Sequence, residues 1–362
     1  MSSFRVADGL SNALATARAT RGQRRIALAI AAVSLLIFLA VAPFVRTPLP
    51  KMPAFIPAYQ AALFFIDLIT AVLLMDQFLR LRSTALLVLA AGYLFDALII
   101  IPHTLTFPGA FAPAGLLGAG EQTTAWLYVF WHGGFPLFVI AYAVLRRDDA
   151  ARTRWTIPQA RMLVGVAVVG AAVLAGALAV LATWGHDLLP VVMRGGNYSQ
   201  LVSKGVSPAV WLLTLVAIAM LWQRDMRVMD LWLMLVMWIW LFDIALAAVL
   251  GSSRFDLGFY AGRLFGLIAA GFLLIALIVE LAQMYSGALG AVARAEALVA
   301  GDAPPPEPKH QQCEAPIMAT ESFIRSGNIA HYRSLLQSDR LSDAERRTVE
   351  RLLSEEEKRV PG

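Results

Sequence analysis

Runs of about 20 apolar residues, separated by short polar segments, repeat along most of the chain. An α-helix needs about 20 such residues to cross a hydrocarbon core of about 30 Å. We therefore predict an all-α, polytopic transmembrane bundle of about eight helices, followed by a short helical tail. The predicted spans are Ile26–Val45, Phe55–Phe78, Thr84–His103, Thr124–Leu145, Arg161–Thr183, Pro208–Gln223, Val228–Leu250 and Phe259–Met284.

The pattern changes after the eighth span. Residues 286–320 form a predicted linker that is proline-rich at 303–308, a composition typical of stiff, extended segments. Apolar positions return at helical spacing in residues 321–362, where Ser342 with Glu345 is a capping-box signal for a second helix. The predicted parts are thus a cytoplasmic N-terminal segment (1–25), a membrane domain (26–285), the linker, and a C-terminal helical hairpin (321–362).

Basic residues are divided unevenly between the two sets of predicted helix ends. One set carries Arg5, Arg18, Arg21, Arg24, Arg25, Arg80, Arg82, Arg146, Arg147, Arg152, Arg154, Arg161, Arg224 and Arg227. The other set carries only Arg46, Lys51, Arg194, Lys204 and Arg254. The positive-inside rule places the larger set, and with it both chain termini, in the cytoplasm.

Composition supports the membrane assignment and narrows the classes of partner. Hydrophobic residues make up 59% of the chain and charged residues 15%, against about 25% charged in ordinary soluble domains. The chain has a formal net charge of +5, and its basic excess lies in the membrane part, so we interpret that excess as a topology signal and predict no nucleic-acid binding. The principal partner of such a chain is the lipid bilayer.

Five ionisable residues from five predicted spans lie between the bilayer midplane and the outer surface. They are Asp67, Asp96, His132, Asp243 and Arg263, and His103 ends the third span on the same side. Charge at this depth is costly, so such residues mark candidate functional sites. Two hypotheses stay open and are compatible. One is a structural network in which Arg263 neutralises a carboxylate, and the other is a pocket open to the outside for a small ligand, a proton or an ion.

The fourth span adds two glycines to these candidates. Gly133 and Gly134, followed by Pro136, predict a weakened or kinked helix beside His132. The aromatic residues Trp126, Tyr128, Trp131 and Trp184 are interpreted as an interfacial belt. Asp76, Asp230 and Glu280, near the predicted cytoplasmic ends, are interpreted as boundary residues.

Metal and cofactor chemistry find little support in the sequence. Cys313 is the only cysteine, and no closely spaced third ligand accompanies His103 and His132. A nucleophile elbow, a zinc signature and a phosphate-binding loop are also missing from the sequence, so we predict no cofactor, no metal and no enzyme.

Small residues recur along one face of the fifth span. Ala167, Ala171, Ala175 and Ala179 follow at four-residue spacing, and such a face lets two helices approach closely in lipid. The partner of this seam is either another helix of the bundle or a second subunit, as in a homodimer.

Several stretches resemble one known family. They are Ala42–Pro50, Phe55–Tyr59, Asp67–Leu74, Gly92–Phe95, Pro102–His103, Thr106–Gly109, Gly115–Gly120 and, most specifically, Thr124–Phe138. Together they are similar to the bacterial MASE series of membrane-associated sensor domains, in particular its fourth type. The resemblance covers about residues 24–285 and is strongest over 42–145.

The resemblance implies a sensory input module in a bacterial inner membrane. Such modules commonly precede a diguanylate cyclase or a histidine kinase, but this sequence has no Gly-Gly-acidic cyclase signature and no kinase boxes. We therefore expect a stand-alone sensor that responds to a small ligand or to membrane state and signals through a cytoplasmic partner protein. The alternative is a proton-coupled transporter or channel, in which buried Asp, His and Arg are common.

Overall fold

The predicted helical bundle is confirmed by a computed structural model of the chain. It describes residue 15 and residues 17–146, 155–222, 226–251, 253–299, 336 and 343–358. Every extended regular element within these ranges is helical, with only isolated β-bridges between loop residues. The helices are α1 (Arg21–Val41), α2 (Phe55–Leu81), α3 (Thr84–Thr106), α4 (Thr123–Leu145), α5 (Ile157–Thr183), α6 (Val206–Leu221), α7 (Val228–Ile244), α8 (Leu257–Val299) and α9 (Asp343–Lys358).

Eight of these helices coincide with the eight predicted spans. Seven of them are long and apolar enough to cross a membrane. The remaining one, α6, has 16 residues and rises about 24 Å, which makes it the shortest, as its sequence predicts. Short 3₁₀ segments at Ala42–Phe44 and His186–Leu188, and a five-residue helix at Ser199–Ser203, complete the connections.

Side-chain caps fix where two of the helices begin. Thr20 and Gln23 form a reciprocal capping box at α1, and Thr156 and Gln159 form another at α5. In each box the threonine oxygen accepts from the backbone of the third helical residue while the glutamine returns the bond. The fifth helix therefore begins four residues earlier than its apolar run predicts.

The connections gather at two opposite ends of the bundle. At the first, which we call the basic end, the backbone N–H of Ala19 donates to Met226 O (3.0 Å), and Arg146 pairs with Asp230. At the second, the loop end, Leu49 N donates to Phe255 O (2.9 Å). The two sets of predicted helix ends are thus separated in space as the basic residues indicate.

Burial divides the helices into central and peripheral ones. The most apolar stretch of α7 is 78% buried within the chain, whereas those of α1 and α5 are 11% buried. The outer face of α5, including Val166, Val169 and Val173, is exposed and therefore suited to contact lipid. Polar side chains collect on the central helices.

The alanine seam of α5 packs inside the bundle. Ala171 and Ala175 are buried, Ala167 and Ala179 pack on the same core, and α5 contacts α3. Of the two partners that the sequence left open for this face, the structure shows the one within the chain.

Helix α4 continues through Gly133, Gly134 and Pro136, and the weakening or kink expected beside His132 stays a prediction. Gly134 serves close packing, because a Cβ at this position would lie 2.6 Å from the ring of Phe95 on α3. Helix α7, by contrast, continues as a π-helical segment from Ala245 to Leu250.

The chain divides into two units, residues 1–291 and 292–362, and the second contains α9. This helix coincides with the second helix predicted for the tail, and its predicted cap Ser342 lies outside the described residues. The predicted proline-rich linker and, apart from Leu336, the first tail helix also lie outside them.

Candidate functional site

All six predicted ionisable site residues are buried. None of Asp67, Asp96, His103, His132, Asp243 and Arg263 is more than 8% exposed. Intramembrane charges are expected to turn inward because lipid cannot solvate them. The prediction that they avoid lipid is thereby met, and the structure adds how they pair.

His132 and Asp243 form the central contact between α4 and α7. The His132 Nε2 atom lies 3.1 Å from Asp243 Oδ2, and its Nδ1 atom lies 3.0 Å from the carbonyl oxygen of Tyr128. Both ring nitrogens therefore face oxygen acceptors, so Nδ1 carries a hydrogen toward Tyr128. A second hydrogen lies between Nε2 and the carboxylate. The pair therefore joins α4 to α7 through a buried imidazole and a buried carboxyl group.

Two glycines of α8 leave room for the Asp243 side chain. A Cβ at Gly266 would lie 2.7 Å from Asp243 Oδ2, and one at Gly262 would lie 2.9 Å from Oδ1. The Tyr59 hydroxyl of α2 borders the same space, 3.1 Å from the position of that Gly266 Cβ. Helix α8 can thus approach α7 closely at the level of the His132 contact.

Arg263 does not neutralise Asp243, contrary to one of the two sequence hypotheses. Its Nη1 atom donates to the carbonyl oxygen of Phe259 (2.8 Å), and its guanidinium lies 3.6 Å from the centre of the Phe259 ring. Among the described residues no carboxylate oxygen comes within 4.0 Å of it. The partner of Asp243 is His132 and not Arg263, so the Arg263 guanidinium is available to another anion.

His103 is held by residues that the sequence analysis did not select. Gln60 Nε2 lies 2.6 Å from His103 Nδ1, and Thr104 Oγ1 lies 2.7 Å from Gln60 Oε1. An amide N–H donates, so Nδ1 accepts and the proton of the neutral ring is on Nε2. The indole of Trp131 packs edge-on against the same ring.

Asp67 and Asp96 form a second, inner group. The two carboxyl groups interact electrostatically, and Asp96 also lies beside Trp131. Tyr59 connects this group to the first, because it lies within electrostatic range of Asp67, Asp243 and Arg263. The predicted polar layer is therefore contiguous across several helices.

A small cavity lies on the loop-end side of this layer. Its volume is about 40 Å³. It is lined by His103, Phe107, Thr124, Ala125, Tyr128, Met193, Tyr198, Leu201, Ala247, Ala248, Arg254, Phe259 and Arg263. Two of these residues, Ala247 and Ala248, belong to the π-helical segment, so the irregular part of α7 forms one wall.

A larger vestibule, about 470 Å³ in volume, lies next to this cavity. Lys51 and Arg254 are its basic lining residues, and Gly195 and Gly196 contribute backbone. Phe107 and Arg254 line both spaces and therefore stand between them. The Arg254 guanidinium lies 5.1 Å from the centre of the Phe107 ring, a cation–π contact.

Arg254, which the sequence analysis treated only as a loop charge, is a half-buried member of the site. Its Nη2 atom donates to Thr124 Oγ1 (2.5 Å), and its backbone N–H donates to Gly196 O (3.1 Å). Burial, and then the nearby charge of Arg263, lower the pKa of Arg254 to about 10. The neighbouring Tyr198 donates to Ser253 O (2.9 Å), and burial raises the pKa of its hydroxyl.

Gln122 fixes the opposite wall of the cavity. Its Oε1 atom accepts from the backbone N–H groups of Val192 (2.7 Å) and Met193 (2.8 Å), while its Nε2 atom donates to Met193 O (2.6 Å). A single amide thereby pins the loop after α5 to the start of α4. No sequence motif announces this role, because the three partners are backbone atoms about 70 positions away.

The basic end holds buried polar contacts that the sequence analysis did not identify. Asp230 pairs with Arg146 and accepts from the Tyr142 hydroxyl (2.8 Å), and Glu280 accepts from Gln77. Asp230 and Glu280 lie at this end, as the sequence predicts, but both are buried against neighbouring helices. Asp76 is exposed and pairs with Arg80 (2.6 Å).

The predicted interfacial belt of aromatic residues is wrong for two of its members. Trp126 and Trp131 are buried in the bundle, and the Trp126 indole donates to Pro190 O (3.0 Å). Trp184 is exposed, as a belt residue is expected to be. Within the described residues, His, Cys, Asp and Glu form no group of three that is placed to hold a metal ion.

Comparison with known proteins identifies the membrane part of the chain. The model of the family described as MASE4, membrane-associated sensor, integral membrane domain, matches residues 50–285. This interval covers α2 to α7 and the apolar part of α8. Neither the curated proteins nor the solved structures contain a match to this chain.

Proposed function

Because the chain belongs to the MASE4 family of membrane-associated sensors, we propose that it detects a small ligand at the loop-end cavity and reports it across the bilayer. The report passes to a cytoplasmic partner protein. Family membership supports the sensory role, and the cavity beside a buried, contiguous polar layer supports a ligand. Both arginines of the cavity lie on or next to the first turns of α8.

The observation that carries this proposal is the course of α8. Its first turns contribute Phe259 and Arg263 to the cavity, and the same uninterrupted helix reaches Glu280, which contacts Gln77 at the basic end. A ligand that contacts Arg263 in one position of α8 better than in another shifts the helix toward that position. The shift then arrives at the Glu280 contact at the basic end.

The orientation is part of the proposal and follows from the positive-inside rule. It places the basic end in the cytoplasm of a bacterial cell and the cavity on the outer face of the inner membrane. Fusions of alkaline phosphatase or a fluorescent protein to the chain terminus test this directly. Phosphatase activity of a fusion to Gly362 would contradict the orientation.

Spin labels at the basic end test the transmission. Cys313→Ser gives a cysteine-free background, in which Asp76→Cys on α2 and Tyr285→Cys on α8 replace exposed residues. We expect Arg263→Gln to change the distance between the two labels in lipid nanodiscs, because it alters the cavity end of α8. The exposed loop residue Arg194, changed to Gln, is the matched control and leaves the distance unchanged.

The same experiment decides against the proposal if neither Arg263→Gln nor Arg254→Gln moves the labels. The transporter alternative is supported by a separate observation, namely that the carboxyl groups of Asp67 and Asp96 are buried in the same polar layer as the contact between His132 and Asp243. Proton flux into proteoliposomes that Asp96→Asn abolishes would favour transport over sensing.

A further inference from the structure

The cavity lining carries positive charge and no carboxylate. Arg254 and Arg263 are its two charged side chains, and none of the thirteen lining residues is Asp or Glu. An isolated buried charge is costly unless an opposite charge or a set of hydrogen bonds compensates it. Two guanidinium groups that line one small cavity therefore favour the binding of an anion.

The nearby acids are engaged elsewhere. Asp243 is paired with His132, and Asp256 accepts from the backbone N–H groups of Ser253 (3.2 Å) and Phe259 (2.7 Å) at the start of α8. Glu121 accepts from the backbone N–H of Gly195 (2.5 Å). Within the described part of the chain, none of these carboxylates comes within 4.0 Å of either cavity arginine. Glu121 acts on Arg254 only over a longer distance, so direct neutralisation of the two cavity arginines is left to a bound species.

Hydrogen-bond donors complete the lining. The Tyr128 hydroxyl is buried and has no hydrogen-bond partner among the described atoms. His103, whose Nδ1 accepts from Gln60, has its proton on Nε2. The two guanidinium groups also repel each other, since the charge of Arg263 contributes to lowering the pKa of Arg254. An anion between them would relieve that repulsion.

Size limits the class of anion. A single water needs about 10–15 Å³ of such space, and drug-sized ligands occupy pockets of about 300–1,000 Å³. A volume of about 40 Å³ therefore admits an ion of one to four heavy atoms. The vestibule, with Lys51 and Arg254 in its walls, gives such an ion a basic approach from the loop end.

The geometry points to a binding site for a small monovalent anion, such as a halide, nitrate or formate, held between Arg254 and Arg263. This anion is the ligand class of the sensor proposed above, and in that respect the inference rests on the proposed function. Inorganic ions (halides and nitrate) and small carboxylates (formate and acetate) all carry the single negative charge that this lining recognises.

The test uses the full chain, purified in detergent and reconstituted in nanodiscs. Bromide, nitrate, formate and acetate are titrated at constant ionic strength against gluconate, which is too large for the cavity. We expect a rise in Tm that saturates with the concentration of a small anion, since a ligand that binds only the folded state stabilises it by mass action. The more effective group of anions identifies the ligand as inorganic or carboxylate.

Variants locate the site. Arg263→Gln and Arg254→Gln are each expected to weaken the apparent affinity about 10-fold or more, because each removes a charged donor. Arg194→Gln, which removes an exposed arginine at the same end, leaves the affinity unchanged. If Arg263→Gln does not fold, Arg263→Lys and an anomalous bromide signal from crystals of the unmodified protein take its place.

Two results would overturn the inference. One is stabilisation that follows ionic strength alone, with gluconate as effective as bromide. The other is an unchanged anion response in both arginine variants. These results differ from a failure of the proposed sensor function. If anions bind but the labels on α2 and α8 do not move, the anion site is upheld and its signalling role is excluded. Label movement without anion binding overturns the anion and leaves the sensor.

Discussion

Gly266 of α8 faces the carboxyl group of Asp243 on α7 so closely that a methyl group there would lie 2.7 Å from Oδ2. The contact sets the distance between the helix that begins at the cavity and the helix that carries the His132 partner. A side chain at this position must displace the carboxylate, the helix or both.

We therefore expect Gly266→Ala to destabilise the protein by about 1–3 kcal/mol, the usual cost of overpacking a filled interior. Denaturant unfolding in detergent measures the effect. Gly271→Ala, on the same helix but with open space around the added methyl, is the matched control. It should be neutral or stabilising by up to about 1 kcal/mol, because alanine favours the helix. Equal effects of the two changes would show that Gly266 is not a packing constraint.

The contact between His132 and Asp243 is expected to behave as one unit. Removing either partner, by His132→Gln or Asp243→Asn, leaves the other buried without its proton-sharing neighbour and should cost about 3–5 kcal/mol. The double variant should cost less than the sum, by about 0.5–3 kcal/mol. A double-mutant cycle on unfolding free energies measures this difference, and strict additivity would contradict the pairing.

The buried ion pair at the basic end should matter far more than the exposed one beside it. Asp230→Asn removes the buried carboxylate that pairs with Arg146 and is expected to cost about 3–5 kcal/mol. Asp76→Asn breaks the exposed pair with Arg80, for which about 0–1 kcal/mol is typical. Thermal unfolding of both variants gives the comparison. A large loss in Asp76→Asn, or none in Asp230→Asn, would reverse the assignment of the structural pair.

Anion binding should weaken at high pH, because Arg254 loses its positive charge there. Its pKa of about 10 lies below the usual value for arginine, so the guanidinium is charged at neutral pH and loses its proton as the pH rises through 10. The folded chain releases this proton at a lower pH than the unfolded chain does. In the absence of an anion, the free energy of unfolding therefore rises with pH over the same interval. We expect the bromide-dependent rise in Tm to be constant from pH 7 to 9 and to decline near pH 10. In Arg254→Gln the weakened response should show no such decline.

The spans and the burial of their charges follow from the sequence because the bilayer leaves few alternatives. A run of apolar residues as long as Phe55–Leu81 must be a helix in lipid, and a carboxylate within it, such as Asp67, must face protein. Neither conclusion needs knowledge of the neighbouring helices. The sequence therefore predicts both the fold class and the membership of the polar layer.

Pairing within the layer needs that knowledge. Depth alone allowed Arg263 to meet Asp243, but the rotation of α8 turns its glycine face to Asp243 and its arginine toward Phe259 and the cavity. Arg254 was overlooked for a related reason, since loop residues are usually solvated and this one is half-buried by the connections around it. The relative rotation of two helices and the path of a loop are set by tertiary packing, which a single sequence does not display.

The π-helical segment of α7 has a consequence for how the outer part of the molecule can move. A turn closed by i→i+5 bonds holds one residue more than an α-turn, so Ala245–Leu250 stores a one-residue surplus of chain. Rewinding that surplus to α-geometry would swivel everything beyond it by about 100°, the angle between successive residues of an α-helix. The stem of the Arg254 loop would turn with it, while Asp243 and the rest of α7 stay in register, so such a change would move Arg254 relative to Asp243.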